Sequence, residues 1–118
     1  MANTFKNAWV EDISNSSGSP TTVLTCPSGN SSRCVLIGIH VTNKHASADI
    51  KISVELTDSS ASSNAILFIN DVGVSVNSTL DILDSSKLIL EESDILKVWS
   101  DTATSVNVFL SYLLVDST

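Results

Sequence analysis

Few side chains in this chain are able to do chemistry, and their spacing limits what they do. Glu91, Glu92 and Asp94 stand close together, and Asp81 with Asp84 forms a second acidic group. Paired carboxylates are the raw material of general acid/base work and of Ca²⁺ binding. An EF-hand loop, however, needs oxygen ligands at alternate positions, a central Gly and a closing Glu, and neither group has that spacing. Both therefore read as solvated turns, with the Asp94 carboxylate bonding to backbone N–H groups two residues on and holding the turn before Ile95. His40 falls in an apolar stretch beside Ile39 and Val41, and His45 falls in a turn. A His–carboxylate pair is the minimum for general-base catalysis, but serine is so abundant that any His has one nearby. A zinc site needs about four ligands, and His40 and His45 are the only histidines. With no glycine-rich phosphate loop and no recognisable nucleophile context, the expectation is no catalytic residue, no metal and no cofactor. The chain reads as a scaffold or binding protein and not as an enzyme.

Cys26 and Cys34 flank Pro-Ser-Gly-Asn-Ser-Ser-Arg, a loop composition set between Val23-Leu24-Thr25 and Val35-Leu36-Ile37. In a hairpin the two would sit opposite each other. Two outcomes stand open: a disulfide contributing about 2 to 3 kcal/mol by closing a short loop, or two partly buried free thiols. Trp9 and Trp99 are candidate interface anchors, because large amphipathic rings lose little side-chain entropy on binding.

The elements that must hold these residues alternate with a period of two. Ile50, Ile52, Val54 and Leu56 share one face, and Lys51, Ser53 and Glu55 the other. Ile95-Lys97-Trp99 against Leu96-Val98-Ser100 repeats the pattern, as does the stretch from Val106 to Val115. No segment keeps the three-and-four spacing of a helix. Arg33 to Thr42 carries apolar residues on both faces, as does a central strand covered on both sides. Thr21 to Cys26, Ala65 to Ile69, Thr79 to Leu83 and Lys87 to Leu90 supply shorter strands, with a turn at Asn70-Asp71-Val72-Gly73. The expected fold is all-β: one β-sandwich domain of about eight strands over residues 15–118, with jelly-roll or Greek-key connections. Residues 1–14 form an N-terminal arm or an edge strand, and removal of residues 1–13 is expected to leave a folded domain that docks poorly.

Composition narrows the partners. The 118 residues suffice for one real core. A formal charge of −7 argues against nucleic acid and against anionic membranes, since both demand a cationic footprint. No apolar run is long enough to span a bilayer, and no basic-then-hydrophobic leader opens the chain, so a soluble protein not secreted by that route is expected. Asn15, Asn30 and Asn77 match the glycosylation pattern, but in so Ser-rich a chain they read as loop residues.

The order of pieces resembles a group of small virion structural proteins of tailed bacteriophages, of the kind infecting marine bacteria and cyanobacteria. The resemblance runs nearly the full length. It is carried by the Met1-Ala-Asn-Thr-Phe-Lys-Asn opening, the short strand ending near Cys26-Pro27, and the strand from Val35 to Asn43. Leu67-Phe68-Ile69-Asn70-Asp71-Val72, the segment Lys87 to Val98 and the hydrophobic last strand complete it. This chain departs from the pattern at Gly73-Val74-Ser75-Val76-Asn77, where similar chains often carry Pro and Gly. It also has Ser93 where they have Gly before the Asp.

The resemblance implies a structural component of a phage particle, assembled in the host cytoplasm and located in the virion. The reading placed first is a capsid decoration or cement protein bracing major capsid subunits as a homo-oligomer, with a trimer as one form. A neck, tail or tail-fibre attachment component stands second. A host-glycan-binding sandwich is third, with Trp9, Trp99 and Tyr112 as its only platform. Interface residues are expected at Phe5, Trp9, Val10, Ile13 and Trp99, where an arm or edge strand lies against a neighbouring chain.

Overall fold

A computed structural model describes residues 2–16, 18–29, 31–45, 47–58, 64–83, 87–102 and 105–116. Asn30 and Asp84 lie outside the described residues, as do the loop residues 59–63. Nine strands follow in order: β1 (Ala2–Val10), β2 (Thr21–Thr25), β3 (Arg33–Asn43), β4 (Ile50–Asp58), β5 (Asn64–Val74), β6 (Thr79–Asp81), β7 (Leu88–Leu90), β8 (Ile95–Ser100) and β9 (Val106–Asp116).

They form two antiparallel sheets. One runs β1-β9-β3-β6, with β7 also on β3, and the other runs β2-β8-β4-β5. β6 pairs with His40–Thr42 and β7 with Cys34–Leu36, so the two short strands fill one strand position in two pieces. Counted as one, they give the strand order of an eight-stranded jelly roll, one of the two kinds of connection expected. The N-terminal segment takes the edge-strand option: all nine residues of β1 pair with β9, from Ala2 opposite Asp116 to Val10 opposite Val108.

The period-two pattern explains the core. Leu36, Ile39, Val41, Val108 and Leu110 from the first sheet meet Ile50, Ile52, Val54, Leu96 and Val98 from the second, all fully buried. Each such side chain contributes about 1.5–3 kcal/mol by leaving water. In β3 the inward set skips from Leu36 to Ile39 because the register against β9 shifts between Leu36 and Gly38. That bulge reverses the alternation. Val35 and Ile37 consequently point outward, and Ile39 and Val41 inward.

Two expectations change here. Asn70-Asp71-Val72-Gly73 is no turn but part of β5, which continues to Val74. Asp71 adopts a left-handed φ of 52° and its N–H donates to the Ser53 hydroxyl at 3.0 Å, within the irregular stretch of the β4/β5 pairing. Asp is among the few residues that visit this region readily, so the chain absorbs an irregularity without reversing. The hairpin expected between the cysteines is absent as well. β2 belongs with β8 and β3 with β9, so the loop from Cys26 to Cys34 crosses between sheets.

At the other end of β3, Asn43 is a buried polar junction. Its side-chain amide donates to Ala48 O at 2.9 Å and Val74 O at 3.0 Å, and its carbonyl oxygen accepts from His45 N–H at 2.9 Å. His45 Nδ1 in turn accepts the N–H groups of Ser47 and Ala48, each at 3.1 Å. This histidine holds a turn.

Candidate functional site

The acidic residues singled out above serve the fold at one end of the sandwich. Asp94 is buried and its carboxylate accepts Glu91 N–H at 2.9 Å, three residues back. Glu92 accepts Gly29 N–H at 3.1 Å, and Glu91 pairs with Arg33 at 3.6 Å. All three thus tie the 91–94 turn to itself or to the Cys26–Cys34 loop. Cys26 N–H donates to Asp94 O at 2.9 Å and Ser93 N–H to Cys26 O at 3.0 Å. Ser93 holds a left-handed φ of 65°. Ser93→Gly is therefore expected to raise stability by about 0.5–1 kcal/mol, read as a higher urea midpoint, because glycine adopts that φ without a Cβ clash.

The cysteines do meet, inside the core rather than across a hairpin. Both are fully buried and free. The Cys26 thiol donates to Leu90 O at 3.5 Å, Leu90 is the register partner of Cys34, and the two thiols are close enough to shift each other's titration. Burial pushes both thiols up, Cys34 to about 12, with the neighbouring Cys26 adding to the shift. Alkylation of the folded protein at neutral pH should then be orders of magnitude slower than in denaturant, since the thiolate is the nucleophile. The sign on stability follows from the folded state holding the proton more tightly. The Cys34 contribution is complete below the ordinary thiol value of 9.0 and is lost as pH rises from there towards about 12. Melts at rising alkaline pH should show Tm falling more steeply for the wild type than for Cys34→Val.

The five interface candidates separate by strand parity. Phe5 and Trp9 point outward and are 77% and 59% exposed. Val10, on the opposite parity, packs against the core. Ile13 is fully buried and its N–H bonds to Val106 O at 3.2 Å, so it is a core residue and no interface anchor. Trp99 is half-buried on the outside of the other sheet, opposite Ser53. Tyr112 points into the core. Trp9, Trp99 and Tyr112 therefore share no face and build no common platform.

What the structure assembles instead is an apolar outer face on the five-stranded sheet. Phe5, Leu113, Val35 and Ile89 are register partners in one row across β1, β9, β3 and β7. Trp9 and Phe109 form a second row, continued by His40 and Asp81. Ile37 lies between the rows. Phe109, Ile37 and Ile89 are 43%, 47% and 56% exposed. Cross-strand partners on one face stand about 5 Å apart, so each row is continuous. Charge is confined to the margin: Arg33–Glu91 at one end, and His40 3.9 Å from Asp81 at the other. The outer face of the second sheet differs, presenting Lys51, Glu55, Thr57 and Lys97 around Trp99. A smaller apolar stretch, Ile66-Leu67-Phe68, is exposed on the edge strand β5.

Only part of this surface was visible in the sequence. Phe109, Ile37, Val35 and Ile89 were missed as surface residues because alternate apolar positions in a long strand do not say which face is covered. The one available signal was that β3 is apolar on both faces, which implies two covers. The chain itself supplies one.

No protein-family model matches the sequence, and no curated protein matches it. The fold is similar to that of a Bacillus endospore appendage protein from a family described as disulfide-linked pili. That likeness has a TM-score of 0.55 at 5% identity, over 98% of this chain and 89% of the other. It is also similar to VP2 of infectious bursal disease virus in a subviral particle, with a TM-score of 0.51 at 8% identity over 98% of this chain. A chain from T=1 particles derived from the bursal virus gives 0.53 at 7% identity. This chain spans about a third of those viral chains, 33% and 32%. At such identities the likeness is one of fold, and the chain is an all-β jelly-roll sandwich of the architecture also seen in a viral capsid protein and in a spore-appendage protein.

Proposed function

We propose that this protein is a structural subunit of a virus particle, used in many copies and held in place through the apolar outer face of its five-stranded sheet. The observation that carries the reading is that face. Phe5, Trp9, Ile37, Ile89 and Phe109 are exposed together on one side of a small sandwich, in two apolar rows with Asn7 and Ser111 between them, and an apolar surface of that size marks a contact surface. The jelly-roll architecture and the sequence resemblance to small phage virion proteins support a place in the virion, assembled in the host cytoplasm. Within the particle, a decoration or cement role bracing major capsid subunits fits a compact domain with one apolar and one polar face. The polar outer face of the second sheet stays outside that contact, in keeping with a net charge of −7.

Quantitative mass spectrometry of purified particles tests this reading. Shell-scale copy number is expected for decoration, whereas a single ring's worth points to the neck or tail, and absence from particles overturns the proposal. In the same assay Trp9→Glu and Phe109→Glu should each lower incorporation tenfold or more. Loss of a buried aromatic anchor costs about 2 kcal/mol or more, and every 1.4 kcal/mol is tenfold.

A further inference from the structure

We propose that the outer face of the five-stranded sheet is closed by a second copy of this chain, packed face to face about a two-fold axis running across the strands. The inference rests on the reading of that face as an assembly surface and goes further by naming its occupant.

The first argument is area. Aromatic side chains carry 150–250 Å² each, so the exposed parts of Phe5, Trp9, Phe109, Ile37 and Ile89 amount to roughly 500 Å². Half-buried Val35, Leu113 and Val115 extend the same face. A standard interface needs about 800 Å² per partner, which this face approaches once its polar margin is counted. Two faces of this kind stack as the sheets of a sandwich do, about 10 Å apart.

The second argument is self-complementarity. The row containing Phe5 and Leu113 and the row containing Trp9 and Phe109 lie four residues apart along β1 and β9, about 13 Å. A two-fold axis across the strands exchanges the two rows. Phe5 then lies over the second copy's Trp9, and Leu113 over the second copy's Phe109. The same operation carries the Arg33–Glu91 end over the His40–Asp81 end, Arg33 falling over β3 and Glu91 over β6, so the charged groups stay at the rim of the paired faces. The charge-poor centre matters too, because two copies each carrying −7 meet with least repulsion through the surface where their acids are not.

Sedimentation equilibrium of the full chain at micromolar concentration should return twice the monomer mass. Trp9→Glu combined with Phe109→Glu should halve it while the far-UV circular dichroism is unchanged. Register is tested by oxidative cross-linking with diamide. Phe5→Cys copies mixed with Trp9→Cys copies should form a covalent dimer, and neither variant alone should do so. A wild-type monomer, a trimer, a dimer that survives the double substitution, or cross-linking of Phe5→Cys with itself would each overturn the proposal. These outcomes stand apart from the particle reading. A monomer that still enters particles sinks only the dimer, whereas a dimer absent from particles sinks only the virion role.

Discussion

Deleting residues 1–13 is expected to abolish cooperative folding. On the sequence alone this segment passed for an arm whose loss would spare the domain. In the structure it supplies a nine-residue strand paired along its whole length with β9, together with the packing of Ala8 and Val10 against the core. Ile13 adds a fully buried side chain, and Ile13→Ala by itself should cost about 2–5 kcal/mol. Truncation removes all of these together and strips the cover from one flank of β9. Against a total stability of about 5–15 kcal/mol for a domain of ordinary stability, the combined loss leaves little or no folded state. Urea titration followed by tryptophan fluorescence checks this, with Trp99 as the remaining reporter. A sigmoidal transition near the full-length midpoint would show that the strand is dispensable.

Asn43→Ala is the second large effect. The Asn43 side chain makes three hydrogen bonds in a site that is 1% exposed, joining the end of β3 to Ala48, to Val74 at the end of β5 and to the turn at His45. Alanine leaves two carbonyls and one N–H without these partners. An orphaned buried polar group costs about 1–3 kcal/mol, and water entering beside the smaller side chain offsets part of the sum. A loss of about 3 kcal/mol is expected, read as a lower urea midpoint at unchanged m-value. Asn43→Asp should be destabilising as well, since a carboxylate accepts but does not donate to the Ala48 and Val74 carbonyls. If Asn43→Ala costs less than a surface substitution, the junction contributes nothing.

Fold class was legible because alternation in β4, β8 and β9 survives almost unbroken, and strand parity follows from it directly. The jelly-roll order was legible only as a class: which strands pair is set by contacts far apart in the chain. β1 with β9 joins the two ends of the molecule, and no local signal announces such a pairing. Bulges hid the rest. The one at Ile37-Gly38 turned a stride-of-two reading of β3 inside out, and the one near Asp71 made a continuous strand look like a turn. The same limit governs the candidate face. Trp9 stood out as an aromatic in a weakly patterned segment, but Phe109 sits in a strand apolar enough to pass for core on both sides. Only the absence of a second layer over that sheet separates the two faces. The cysteines were legible as neighbours, for a reason the structure replaces: they approach through the core between sheets and not across a hairpin.

The central claim is that this jelly roll leaves one apolar sheet face for assembly in a virus particle, and a cryo-EM map of the intact particle tests it most directly. The account predicts repeated copies of the sandwich at symmetry-related positions, each with the Phe5, Trp9 and Phe109 rings covered by protein. Copies whose Phe5–Phe109 face lies bare to solvent, or a particle without this density, would contradict it.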